Sequence, residues 1–370
     1  MWVTSSLSLV QTPTVVALGN FDGVHRGHQQ VIRAITAALP EQDPLRVGDI
    51  GLNGAVLNVR GYSDRCALLF DDCAGLASLP KIPSASDLYP TVVTFYPHPR
   101  EFFSGKPQPW LTPLEEKAAL LRVLGVKQLV LLPFSQELAA LSPKAFVEKV
   151  LIERLNAQHI SVGANFQFGH RRAGTVDDLT RLAATHGATV SVLDLSQSEG
   201  NPVAGAMSDR RISSSRIRQA LTAGNLSEVK TLMGRPYHIT GRVVKGQQLG
   251  RQLGFPTANL RLAPDKFLPG NGVYAVQVYG MPDLAPDLAI PGVMNLGNRP
   301  TIAGQGQTLE IHVLDWQGNL YGHTLTIALV DFLRPEQRFD SLDQLKAQIK
   351  RDCEQAAAMM TVGNRPIVKA

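Results

Sequence analysis

Leu18-Gly19-Asn20-Phe21-Asp22-Gly23-Val24-His25-Arg26-Gly27-His28 is the stretch whose reading decides how the first half of this chain folds. Val15 and Val16, just before it, are β-branched and read as the end of a buried strand. Gly19 and Gly23 allow a tight turn, and the residues from about Gly27 through Ile35 read as a helix. A helix N-terminus carries unpaired N–H donors and a partial positive charge, so an anion is favoured there. His25 and His28 sit about one helical turn apart and can face that anion together. Donors fixed near the bridging and leaving oxygens of a phosphate stabilise the charge that builds there in transfer, so the pattern predicts catalysis as well as binding. The plainer reading of the same residues is two histidines capping a surface helix.

Working outward, strands and helices alternate. Thr91 to Phe95 reads as a strand, followed by the turn Pro97-His98-Pro99 and a helix from about Pro113 to Leu124. A strand is expected over Gln128 to Leu132, a helix over Pro143 to Leu155, and a strand over His159 to Gly163. Such alternation predicts a doubly wound parallel sheet whose ligands lie beyond the carboxyl ends of its strands. The segments GNFDGVH, FYPHP and VGANFQFG all follow strands and are expected to converge on one crevice. Between the first helix and Tyr89, the residues from Pro40 to Pro90 are rich in Gly, Pro, Ser and Asp and read as an insertion. Further on, Ile212-Ser213-Ser214-Ser215-Arg216-Ile217-Arg218 puts three hydroxyls at the start of a helix, a second anion-binding end, with Arg218 about one turn in.

After a helix near Leu226 to Met233 the pattern changes at Gly234-Arg235-Pro236. We therefore divide the chain into residues 1–233 and 234–370, with the insertion at about 40–90 inside the first part. His238 to Val244, Val273 to Tyr279, Leu309 to Leu314 and Thr324 to Val330 are short strand-like runs between Gly, Pro and Asn turns. No long helix is expected before about Leu342, which favours an antiparallel barrel closed by a C-terminal helix. In Leu253-Gly254-Phe255-Pro256-Thr257-Ala258-Asn259-Leu260, the oxygens of Thr257 and Asn259 fall on one side of an extended segment. That arrangement suits a hard cation carrying nucleotide phosphates, or is simply a polar turn. Glu310 shares a face with His312 opposite Leu309, Ile311 and Val313. A carboxylate there suits a general base acting on an alcohol, although a solvated strand face would read the same way.

Composition narrows the function classes. The chain has 370 residues, 44% hydrophobic and 18% charged, as a soluble globular protein of two domains would. No stretch approaches the roughly 20 apolar residues of a membrane span. Residues Met1 to Leu18 lack the basic leader and apolar core of a signal peptide, so a cytoplasmic address is expected. Cys66, Cys73 and Cys353 have no metal-ligand spacing and form no disulfide framework. A net charge of +5 and a pI near 9.1 raise the question of nucleic acid. The Lys and Arg residues are scattered without interleaved aromatics, however, so polyphosphate substrates explain the balance and neither nucleic acid nor membrane is expected as a partner.

The HxGH pattern within GNFDGVHRGH resembles the nucleotidyltransferase superfamily, which transfers an adenylyl or cytidylyl group to a phosphate and releases pyrophosphate. ISSSRIR is similar to that superfamily's second signature, with Ser215 where Thr is common. TFYPHPREFF and VGANFQFGHRRAGT add the FMN adenylyltransferase branch. The run LGFPTANL, GVY, NLGNRPT, LEIHVLD and DFLRPEQRF resembles the flavokinase domain almost throughout Arg235 to Gln355. Apart from the insertion, the chain resembles the prokaryotic bifunctional riboflavin kinase/FAD synthetase family.

The resemblance implies a Rossmann-like nucleotidyltransferase domain followed by a flavokinase-type antiparallel β-barrel. Riboflavin would be phosphorylated on its ribityl 5′-hydroxyl, and the resulting FMN adenylylated to FAD, with ATP as co-substrate of both steps and Mg²⁺ as cofactor. It implies catalytic roles for His25, His28 and Glu310 and metal contacts from Thr257 and Asn259. Nucleotide contacts would come from Gly19, Phe21, Asp22, Gly23, Ser213, Ser215, Arg218, Gly246 and Gly254, and flavin contacts from Asn165 and Arg299. The protein would be a monomer or weak homo-oligomer. Two features depart from the family's usual pattern: the longer insertion, and Tyr96 where TFDPHP often has Asp. Both lie beside the N-terminal crevice, so the alternative is a riboflavin kinase whose N-terminal domain only binds flavin or nucleotide.

Overall fold

Every residue of Thr14-Val15-Val16-Ala17-Leu18 is buried, because this strand runs through the middle of a sheet covered on both faces. A computed structural model describes residues 1–36, 88–194, 212–246, 249–285, 288–301 and 304–361. The first unit is built on β1 (Trp2–Thr4), β2 (Thr14–Leu18), β3 (Tyr89–Tyr96), β4 (Gln128–Pro133), β5 (Ala157–Gly163) and β6 (Thr189–Leu193). Their order is β1-β4-β3-β2-β5-β6, and every pairing is parallel. From β2 the chain goes to β3 on one side, and β5 lies on the other. The order therefore reverses between β2 and β5, and the crevice for a ligand opens at their carboxyl ends. The helix Arg26–Thr36 packs against β2, β3 and β5 with Val31, Ile32 and Ile35 buried.

The expected doubly wound sheet is present, and its additions have simple causes. β1 is three residues long and β6 has the half-exposed pattern of an edge, so neither carries a strong period-two or buried-run signal. The helix Pro99–Ser104 starts inside the expected turn, with the His98 side chain accepting from the Arg100 N–H as its cap. The expected helix over Pro143 to Leu155 is helical through Phe146 and then widens to a π-turn over Val147–Ile152. β3 begins at Tyr89, so the end of the expected insertion belongs to the sheet. The insertion's residues up to 87 lie outside the described residues, with Cys66 and Cys73.

The second unit is a closed antiparallel barrel. Its strands are β7 (His238–Val244), β8 (Ala258–Leu262), β9 (Gly272–Tyr279), β10 (Ile290–Thr301), β11 (Gly304–Val313) and β12 (Thr324–Arg334), in the order β10-β11-β8-β7-β12-β9. Along β11, Leu309, Ile311 and Val313 are buried while Glu310 and His312 are not, the alternation expected of a barrel wall. Gly292 to Thr301, read from sequence as a stretch preceding a strand, is itself most of β10 and pairs with β9 and β11. Its Gly, Asn and Pro residues mask the strand signal.

The helix Leu342–Thr361 lies against β9 and β10, with Ala356 packed among Val273, Ala275, Val293 and Leu314. Arg334 on β12 fixes that helix through Asp352: Nε lies 3.0 and 3.1 Å from the two carboxylate oxygens and Nη2 2.8 Å from Oδ2. The helices Ser214–Thr222 and Leu226–Met233 pack with the barrel, so that among the described residues the two compact units divide between Ser214 and Ser215.

Candidate active sites

In the first unit the chain leaves β2 into a turn with an unusual backbone. Phe21 has φ 48°, Gly23 φ 89° and Val24 φ 40°. A β-branched residue in the left-handed region is a genuine outlier, and such strain persists only where the surroundings over-determine it. The surroundings here do so. Gly23 N–H donates to Thr112 Oγ1 at 2.9 Å, and Thr112 N–H donates to Asp22 Oδ1 at 3.2 Å. The Asp22 carbonyl accepts from Ser214 Oγ at 2.8 Å. The Asn20 carbonyl accepts from Thr94 Oγ1 at 3.0 Å and from Lys117 Nζ at 2.9 Å.

The turn delivers both histidines to the start of the helix. Their rings stack with centroids 3.6 Å apart and planes 14° from parallel, and the Phe21 ring meets His28 edge-on at 5.2 Å. His25 Nδ1 accepts the His28 backbone N–H at 3.2 Å. With Nδ1 engaged as an acceptor, the neutral His25 ring carries its proton on Nε2, so capping the helix does not use the proton with which a donor to an anion acts. Gly19, Phe21, Asp22, Gly23, His25 and His28 are thus brought together. Asn165 is exposed on the turn after β5, across the strand-order reversal from them. Ser213 directly precedes the helix whose Ser214 bonds Asp22. Ser215 and Arg218 lie on that helix in the second unit, with the Arg218 guanidinium over the Phe267 ring at 5.5 Å. Tyr96, the departure in the TFYPHP segment, ends β3 and is 40% exposed.

Sequence reading missed Thr112 and Lys117. Both belong to Trp110-Leu111-Thr112-Pro113-Leu114-Glu115-Glu116-Lys117, and a signal was present. Lys117 stands three and four residues before Leu120 and Leu121, on the inward stripe of the helix Leu114–Val123. It is 3% exposed, and its Nζ lies 4.4 Å from the centre of the Trp110 ring. Burial lowers its pKa to about 8, partly offset by the charge of Asp22.

In the second unit the expected group assembles on the barrel's outer face. Thr257 Oγ1 donates to Glu310 Oε2 at 3.2 Å, and Asn259 is the cross-strand partner of Glu310 between β8 and β11. A Cβ at Gly246 would collide with the Asn259 amide, and one at Gly250 with the Phe255 carbonyl and, at 3.2 Å, Thr257 Oγ1. The glycines therefore let the loop lie directly on the two oxygen-bearing side chains. His312 Nδ1, 2.8 Å from the Pro256 carbonyl, tethers the other end of that segment. Gly254 has φ 89°, a conformation that suits glycine. Arg299 lies on β10 opposite Gly306. Thr257, Asn259 and Glu310 offer hard oxygen donors, and no cluster of three or more His, Cys, Asp or Glu that could hold a metal by itself occurs among the described residues. Such a set fits Mg²⁺, which takes one or two protein oxygens and completes its shell with water and substrate phosphate.

A stacked imidazole pair at a helix start on a wound sheet, together with a hydroxyl, amide and carboxylate cluster on a barrel, defines a transferase that handles nucleotide phosphates on two separate units. Comparison with known proteins specifies it. The family model for riboflavin kinase matches residues 233–360, and that for FAD synthetase matches residues 8–46 and 76–206. The bifunctional riboflavin kinase/FMN adenylyltransferase of Pseudomonas fluorescens is 38% identical over 346 residues, covering 93% of this chain and 92% of that protein. The Escherichia coli K12 protein of the same name is 36% identical over 343 residues, covering 92% and 91%. A crystal structure titled as a macrolide-efflux protein from Streptococcus pneumoniae superposes with a TM-score of 0.71 at 27% identity, covering 96% of this chain and 98% of that one. Among the described residues of the present chain, no helix is long and apolar enough to cross a membrane. The chain belongs to the bifunctional riboflavin kinase/FMN adenylyltransferase family and carries both of its domains.

Proposed function

We propose that this chain converts riboflavin to FAD in two ATP-dependent steps, one on each unit. In the barrel, Glu310 accepts the proton of the ribityl 5′-hydroxyl as that oxygen attacks the γ-phosphorus of ATP; the bond to the bridging oxygen breaks and ADP leaves. Thr257 donates to the Glu310 carboxylate and so orients it. Thr257 and Asn259 are the residues that would hold Mg²⁺, which when bound neutralises charge on the phosphates. Gly246 and Gly254 let the nucleotide approach the backbone, and Arg299 contacts the flavin.

On the sheet, the FMN phosphate attacks the α-phosphorus of ATP and pyrophosphate departs. His25 and His28 donate to the oxygens on which negative charge accumulates, with no proton transfer required. Gly19, Phe21, Asp22, Gly23, Ser213, Ser215 and Arg218 hold the nucleotide, and Asn165 contacts the flavin. A cytoplasmic address, a monomeric or weakly associating state and the absence of nucleic-acid partners belong to the same proposal.

The observation that supports this reading is the presence of both constellations in one chain: the stacked His25–His28 pair and the Thr257–Glu310 contact. Purified protein incubated with riboflavin, ATP and Mg²⁺ tests it. FMN that rises and then falls as FAD accumulates supports two activities. FMN that accumulates without FAD would reduce the function to riboflavin kinase.

A further inference from the structure

We propose that Lys117 is a positioning residue for adenylyl transfer: from the helix Leu114–Val123 its ammonium grips the Asn20 carbonyl and holds a positive charge behind the left-handed turn that presents His25 and His28. This rests on the reading of the first unit as the adenylyltransferase. Burying an ammonium is costly unless it is well compensated, so a lysine that is 3% exposed needs a reason to be there. The compensation is visible: the 2.9 Å bond to Asn20 O, the Trp110 ring 4.4 Å from Nζ, and the Asp22 carboxylate acting from the turn itself. All three tie the lysine to the phosphate turn and its immediate brace.

The turn needs such a hold. Phe21 and Val24 each hold a left-handed backbone that strains a residue with a side chain. Asn20 is the residue from which that strained run starts. Thr94 already donates to the same carbonyl, so one more neutral donor would satisfy it. A cation adds a field that a neutral donor lacks, directed at the place where phosphate charge develops. The charged group that acts on it is Asp22 on the turn, while His98 stands against its two partners, 3.1 Å from the Asn20 amide and 5.5 Å from the Trp110 ring. Glu115 and Glu116 are the acidic neighbours on its own helix.

The test uses full-length protein and measures FAD formation from FMN and ATP, with FMN formation from riboflavin in the same preparation as a control of folding. Lys117→Met is expected to lower kcat for FAD by about tenfold or more while leaving FMN formation at the wild-type rate. Lys117→Gln, which keeps a donor toward Asn20 but no charge, should recover part of a purely structural loss and little of an electrostatic one. The wild-type enzyme should lose kcat/KM for ATP in FAD formation as pH rises through about 8, because the ammonium is then lost, and Lys117→Gln should not. That profile is readable in the wild type even if a variant folds poorly. Wild-type FAD kinetics in Lys117→Met, or an alkaline limb that persists in Lys117→Gln, would overturn the proposal. Wild-type protein that makes FMN but no FAD would overturn the adenylyltransferase reading itself, and this inference with it.

Discussion

His25 shows how much one side chain can be asked to do. Its Nδ1 is committed to the backbone of His28, which fixes the ring plane and puts the proton of the neutral ring on Nε2; the stacked His28 ring is held edge-on by Phe21. If these two rings serve only adenylyl transfer, His28→Ala should lower FAD formation from FMN by about 10²-fold or more, with FMN formation from riboflavin unchanged. Glu310→Ala should do the reverse, lowering FMN formation by about 10²- to 10⁴-fold as loss of a general base does, with FAD formation from supplied FMN retained. Separate assays of the two products on each variant check both. The histidines and Glu310 were legible as residues because their spacing carries the chemistry. For Thr112 and Lys117 the partner was not legible, since what they touch lies roughly 90 residues away in sequence and the contact is made only by the fold, although the place of Lys117 on an inward helical stripe was.

Among elements, the C-terminal helix depends on a charge pair with little access to water. Asp352 is 3% exposed and receives both Arg334 and the Gln348 amide, the latter at 2.8 Å. Asp352→Ala leaves the guanidinium poorly compensated and should cost about 3 kcal/mol or more of barrel stability, read from urea unfolding. Pairing Asp352→Leu with Arg334→Met should return much of that loss, because two apolar side chains need no partner.

On β7, burial pushes the His238 pKa down to about 3, with Arg235 and Lys266 adding to the effect. Below about pH 6.5 the unfolded chain takes up a proton that the native barrel refuses, so stability should fall as pH drops from 6.5 toward 3. His238→Gln should flatten that part of the profile, and thermal unfolding of the two proteins across the range measures the difference. Strand and helix periods announced most of these elements. β1, β6 and β10 went unread because a three-residue strand, an edge and a Gly/Asn/Pro-rich strand carry too little pattern.

For the whole molecule, two nucleotide-handling units on one chain pose the question of whether FMN must pass between them without release. Mixing His28→Ala with Glu310→Ala protein and supplying riboflavin, ATP and Mg²⁺ answers it. If FMN is released, the first variant supplies it and the second adenylylates it, so FAD should accumulate after a lag that shortens as protein concentration rises. FAD from wild-type protein but none from the mixture would show that the intermediate does not leave the chain that made it.

The order of local patterns determined a good deal unaided. A period of about 3.6 alternating with buried apolar runs pointed to a wound parallel sheet, and short strands between turns favoured a barrel, because each pattern can bury its apolar face in few other ways. The HxGH spacing and the Thr-Ala-Asn alternation likewise put their polar atoms on one side by backbone geometry alone. Tertiary structure decided what these local rules leave open: the stacking of His25 on His28, the bond from Thr257 to Glu310, and the bracing of a strained turn by Ser214, Thr112 and Lys117. The histidine stack needs the left-handed turn before it, and the other contacts join residues 53 to 192 positions apart, which only the packing of whole elements brings within hydrogen-bond reach.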